Sequence, residues 1–98
     1  MSQIVSIQTL AEEDIVLTFA WYQEKRLGLG LDFIQAVDDT LAHIGLNPRG
    51  YEVIHGEVRR AVLRRFPYCV YFVLADTEVV VLAVLHTSRH PIQWPNRI

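Results

Sequence analysis

Between Val58 and Arg65 the chain carries Arg59, Arg60, Arg64 and Arg65, two pairs of guanidinium groups separated by Ala61-Val62-Leu63. A guanidinium is permanently charged and presents a rigid fork of donors that matches carboxylate or phosphate, so this segment has the chemistry to grip an anion. Read as one eight-residue strand, alternation places Arg59 and Arg65 on one face and Arg60 and Arg64 on the other. Such a strand is expected at a sheet edge or as the floor of a basic groove, because guanidinium groups are almost never fully buried unless paired. The plain alternative is that these arginines pair with carboxylates of the same domain.

Other chemistries have little support. His43, His55, His86 and His90 with the single Cys69 show no zinc-ligand spacing, and no metal or cofactor is expected. Gly28-Leu29-Gly30 reads as a turn between helices, not the strand-to-helix turn that cradles phosphates, and no serine sits in a nucleophile elbow. Cys69 lies in an apolar run, has no partner for a disulfide, and is expected to pack as a small hydrophobe. Acid–base work by Arg, His and Glu is what remains of the enzyme templates.

The charged segment needs a scaffold to hold it, and the flanking sequence supplies one. Tyr68-Cys69-Val70-Tyr71-Phe72-Val73-Leu74 and Val79-Val80-Val81-Leu82-Ala83-Val84-Leu85-His86 are branched and aromatic runs bounded by Pro67 and by Asp76-Thr77-Glu78, so with the arginine strand they form an antiparallel meander. Gln3 to Ile7 alternates as a short first strand. Thr9-Leu10-Ala11-Glu12 has the spacing of a capping box and opens a helix ending near Lys25-Arg26, with Trp21 and Tyr22 expected in the hairpin packing. A second helix follows the glycine break, with Phe33, Val37, Leu41 and Ile44 on one stripe and Gly45 expected just past its end, before Pro48. Residues 47–57 are expected to be the longest loop. The fold class is α+β, β-α-α-β-β-β, with a helical hairpin packed on an antiparallel sheet.

With 98 residues, 51 % apolar and 20 % charged, the chain reads as one folded domain over 1–98. No apolar run approaches the ~20 residues that span a bilayer and no secretory leader is visible, so a cytoplasmic protein without a membrane partner is expected. The net charge of −2 conceals an asymmetry. Residues 1–57 hold nine acids against three bases, a balance of −6, and residues 58–98 hold six bases against two acids, a balance of +4. Acidic helices over a basic sheet point to an anionic partner, either nucleic acid or an acidic peptide.

The ordered series Trp21-Tyr22, Arg26-Leu27-Gly28-Leu29-Gly30, Phe33, Asn47-Pro48, Val58-Arg59-Arg60, Arg64-Arg65-Phe66-Pro67-Tyr68 and Leu82-Ala83-Val84-Leu85-His86 resembles the RelE/ParE superfamily of toxins from type II toxin–antitoxin, or plasmid stabilisation, systems. The resemblance runs from about residue 4 to residue 94, and it implies a domain neutralised by a small antitoxin encoded beside it. The superfamily divides by activity. Members similar to ParE inhibit DNA gyrase and need no catalytic triad. Members similar to RelE and YoeB enter the ribosome and cut messenger RNA. In this chain that second chemistry would fall to Glu57 as base, Arg65 as phosphate clamp and His86 as acid. RelE-like members are strongly basic and carry a tyrosine near the C-terminus, whereas this chain has one lysine, a net negative charge and no tyrosine after Tyr71. An acidic chain gains less affinity from phosphate neutralisation. The favoured expectation is therefore a ParE-like gyrase inhibitor; the alternatives are the ribosome-dependent nuclease and an inactive binding module of the same fold. Arg59, Arg60, Arg64, Arg65, Arg89 and His90 are the expected partner-binding residues, and for His86 the competing role is to cap its strand.

Overall fold

The computed structural model describes residues 3–89. Strand β1 (Ile4–Ile7) leads into helix α1 (Thr9–Lys25), which turns back into α2 (Leu29–Leu46). A single 3-10 turn (Pro48–Gly50) precedes β2 (Val53–His55), β3 (Val58–Val62), β4 (Tyr68–Ala75) and β5 (Glu78–His86). The sheet order is β1-β5-β4-β3-β2. β1 runs parallel to β5 with Ile4 beside Glu78 and Ile7 beside Val81, and all other pairs are antiparallel, so the sheet is mixed. The α+β class with a helical hairpin on a sheet is as expected from the sequence. No helix among the described residues is long and apolar enough to cross a membrane.

Period-two alternation in β4 and β5 sorts the apolar residues onto two faces. Val70, Phe72, Val79, Val81 and Val84 face the helices and meet Phe33, Val37 and Ile44 of α2. Cys69, Tyr71, Leu82, Ala83 and Leu85 cluster with Val58 apart from the helices. One irregularity lies between them. Tyr71 pairs with Ala83 and Phe72 with Val81, leaving Leu82 as the extra residue of a β-bulge, which is why the neighbours Leu82 and Ala83 share a face.

Several local expectations are corrected. The arginine strand stops at Val62, so Arg64 and Arg65 belong to the β3–β4 turn and the eight-residue alternation does not apply. A short strand, β2, occupies part of the expected loop. Helix α1 starts at Thr9 as its first helical residue with Gln8 as cap, and the Glu12 amide bonds the Gln8 carbonyl, so the capping box does not form. Gly45 lies inside α2, which runs on to Leu46; the Gly45 carbonyl accepts from the Gln3 amide at 2.7 Å, a backbone approach that ties β1 to the helix. The helix ends at Asn47, the residue that Pro48 excludes from helical geometry. Tyr22 packs in the core as expected, but Trp21 is 52 % exposed, its ring edge-on to Tyr22 with the Lys25 ammonium 4.8 Å from its centroid.

Candidate partner-binding site

The register separates the four arginines. Arg59 sits opposite Phe72 on the helix side of the sheet, and its Nη1 donates to the Tyr51 carbonyl at 2.7 Å. Arg60 sits opposite Tyr71 on the other face, and its guanidinium is paired with the Glu52 carboxylate. Nearby, burial pushes the Tyr71 hydroxyl up to about 12 and raises the Cys69 thiol, so Cys69 is a buried thiol and not a poised nucleophile. Half of the expected basic surface is thus occupied by the domain's own acceptors.

Arg64 and Arg65 differ because of the turn that carries them. Leu63 donates to the Tyr68 carbonyl at 2.9 Å, and the chain between them loops out, with Arg65 in the left-handed region at φ 71°. Phe66 anchors this loop. It is buried, with its ring 5.1 Å from Tyr22 and 5.5 Å from Phe33, both edge-on. Burying one aromatic of the turn leaves the two preceding side chains pointing outward, and the left-handed residue is the strained element that the Phe66 anchor holds in place. Arg65 reaches Asp32 of α2 only at 4.0 Å, with its side chain 74 % exposed, and such a pair contributes about 0–1 kcal/mol. Among the described residues Arg64 has no ion pair.

Beside this turn lies a cleft of about 430 Å³ between α2 and β3. Arg64 and Arg65 form one wall, Asp32, Asp39 and His43 the other, with Ala36, Val62 and Phe66 as apolar lining. The sheet edge is also open here. β2 pairs only with Val58 and Arg59, and the Arg60 amide bonds the Glu52 carbonyl. Since Leu63 points its amide toward β4, alternation turns the backbone groups of Val62 away from β4, beyond the reach of β2. The Val62 side chain is 59 % exposed. An uncovered edge next to a two-arginine turn can accept an extended acidic segment through backbone pairing and charge-assisted hydrogen bonds.

The three residues expected to serve RNA cleavage are not gathered. Glu57 is exposed in the β2–β3 turn and lines a cleft with Arg49, Arg59 and Asp76. Arg65 lies past the other end of β3, whose four residue steps alone span about 13 Å. His86 closes β5 against the Tyr68 ring, 5.3 Å between centroids; its Nδ1 accepts from the Ser88 amide at 3.0 Å, and it lines a third, small cleft with Asp14, Thr18 and Arg89. Arg89 is exposed, its amide bonded to the His86 carbonyl. His90 lies outside the described residues. No group of three metal-ligating side chains occurs among the described residues.

Two structural contributors escaped the sequence reading. Asp14 reaches the sheet and accepts from the Val84 amide at 3.0 Å, covering the edge of β5 where β1 has ended. Gln23 folds its side chain over the α1–α2 turn, its Oε1 accepting from the amides of Gly28 (3.0 Å) and Gly30 (2.8 Å). Neither side chain stands in a local motif, so no signal in the sequence marked them.

No protein-family model matches the chain, and no curated protein matches it. Among solved structures, a chain of the chromosomal ParDE toxin–antitoxin system from P. aeruginosa superposes with a TM-score of 0.77 and 15 % identity, over 87 % of this chain and 96 % of that chain. At this identity the likeness is one of fold. Among the described residues a helical hairpin packs on a sheet in the expected ParE-like α+β arrangement, but the sheet has a fifth strand, β2, and is mixed through the parallel β1–β5 pair where an antiparallel β-α-α-β-β-β sheet is expected.

Proposed function

We propose that the chain is the toxin of a type II toxin–antitoxin pair, ParE-like in acting on DNA gyrase in the cytoplasm, and is neutralised by an antitoxin encoded beside it. The observation that carries this reading is the superposition on almost the whole of a chain from a ParDE system. The choice of gyrase over the ribosome draws support from two further facts. The net charge of −2 is poorly suited to competing for ribosomal RNA, and Glu57, Arg65 and His86 line three separate clefts. A protein that inhibits another protein needs a recognition surface and no assembled triad.

The antitoxin docks as an acidic segment along the open edge of β3, with carboxylates on Arg64 and Arg65. Arg59 and Arg60 serve the domain itself. Double charge reversal, Arg64→Glu with Arg65→Glu, abolishes co-purification with the antitoxin; retention of the complex would exclude this placement. The function is tested with purified protein in two parallel reactions, gyrase supercoiling and cleavage of a ribosome-bound message. Inhibition of the first with the message left intact supports the reading. Cleavage that is lost on His86→Ala would replace it with the nuclease.

A further inference from the structure

The α1–α2 turn presents its side chains in a way the core does not require. Leu27 is 88 % exposed at the tip of the hairpin, with Leu31 in the first turn of α2 61 % and Trp21 in the last turns of α1 52 % exposed. Single exposed apolar residues are ordinary. Here they are held on a rigid mount. The Arg26 amide closes α1 onto the Tyr22 carbonyl, the Leu29 amide bonds the Arg26 carbonyl at 3.0 Å, and the Gln23 side chain takes the amides of Gly28 and Gly30. Gly28 supplies the left-handed step at φ 92°. Gly30 lets the helices close: a Cβ there would stand 2.6 Å from the Phe19 carbonyl oxygen. A turn so fully hydrogen-bonded loses little freedom when its side chains are bound, which is the preorganisation that makes a small contact strong.

The charges around the tip indicate what it meets. Lys25 and Arg26 immediately precede Leu27, and neither has an ion pair among the described residues; the Lys25 ammonium lies over the Trp21 ring. Trp and Arg are the residues that dominate interface energetics, and an apolar centre with a charged rim is the usual anatomy of such a contact. Glu24 and Asp32 are exposed at the same end of the hairpin. Asp32 is engaged by Arg65 at 4.0 Å, which leaves Glu24 as the carboxylate beside the two cations. A protein surface can set its own carboxylates opposite Lys25 and Arg26 and clear of Glu24, whereas a uniformly anionic lipid surface meets all three.

We propose that this hairpin tip is the contact the toxin makes with its cellular target, inserting Leu27 into an apolar socket on a protein surface whose rim supplies carboxylates for Lys25 and Arg26. The inference rests on the toxin reading above and goes beyond it, because the antitoxin grips different residues. The two sites are adjacent. Asp32 in the first turn of α2 stands 4.0 Å from Arg65, so a segment seated on Arg64 and Arg65 crowds the tip, and capture by the antitoxin excludes the target by occupying neighbouring space.

The test compares Leu27→Asp, Lys25→Glu with Arg26→Glu, and the unaltered full chain, for growth arrest on induced expression and for co-purification with the antitoxin. All three positions are exposed, and far-UV circular dichroism with thermal melts verifies that each variant is folded. Both variants should need at least tenfold more protein for equal arrest while holding the antitoxin within twofold of the parent. Undiminished arrest by both folded variants would overturn the proposal, as would parallel loss of arrest and antitoxin binding, which would make the tip part of the antitoxin site. Leu27-dependent binding to phosphatidylglycerol vesicles would also overturn it, in favour of a lipid contact. An unaltered chain that causes no arrest defeats the toxin reading itself, and this inference with it.

Discussion

Replacing Phe33 by alanine should remove the packing that positions the arginine turn. Phe33 is fully buried, with ring centroids 5.7 Å from Tyr22, 5.5 Å from Phe66 and 5.4 Å from Tyr68. It therefore joins both helices to the turn that carries Arg64 and Arg65. Phe→Ala at a closed core site costs about 3–5 kcal/mol, and three aromatic neighbours place this site toward the upper end. A domain of this size has a total stability of about 5–15 kcal/mol, so the variant loses about a third of its margin or more and its melting temperature falls by roughly 12–40 °C. Phe33→Leu keeps the site partly filled but gives up the three ring contacts, and should cost less than alanine, about 1–3 kcal/mol. Urea unfolding of the three proteins at neutral pH measures both differences. A loss below about 1 kcal/mol for alanine would refute the claim that this cluster is the joint between hairpin and turn.

Three further outcomes follow from individual contacts. Gly30→Ala, which in an exposed helix would stabilise by about 0.5–1 kcal/mol, should instead destabilise by about 1–3 kcal/mol because its Cβ meets the Phe19 carbonyl oxygen; a stabilised variant in thermal melts would show that the helices are not that close. Asp14→Ala leaves the Val84 amide without the carboxylate and should cost about 1–3 kcal/mol by urea unfolding, with Asn in its place recovering part of the loss and equal costs for both contradicting the assignment. Tyr71 holds its proton more tightly when folded, so its contribution is complete below pH 10 and declines as pH rises from 10 toward 12, by at most about 3 kcal/mol. Urea midpoints measured across that range should fall less steeply in Tyr71→Phe, with Tyr22 and Cys69, both raised by burial, sustaining the remainder; an unchanged slope would place the Tyr71 hydroxyl in contact with water.

The fold was legible where one physical rule dominated. Phe33, Val37 and Ile44 carry the helical period, and residues 68–74 and 79–86 are too branched and aromatic to be anything but strands, so two helices, the meander and its order could all be read. Local rules failed where a tertiary contact competed. Thr9 and Glu12 match a capping box, but the bond from the Glu12 amide goes to the Gln8 carbonyl. Gly45 looks like a helix terminator, yet the helix runs through it to Leu46 and its carbonyl takes the Gln3 amide. The arginine strand was misjudged for a similar reason. Four guanidinium groups in eight residues read as one surface, yet burial of Phe66 ends the strand early and divides them into a pair the domain consumes and a pair it presents. Nothing in the one-dimensional pattern distinguishes Arg60, which meets Glu52, from Arg64, which meets no carboxylate among the described residues.

The most direct measurement of the central claim is growth after induction of this chain alone and together with the product of the adjoining open reading frame. Toxin activity predicts that the chain alone halts division, that co-expression restores it, and that the two proteins then purify as one complex. Unimpeded growth in both cultures, or arrest that the neighbouring product neither binds nor relieves, would contradict it.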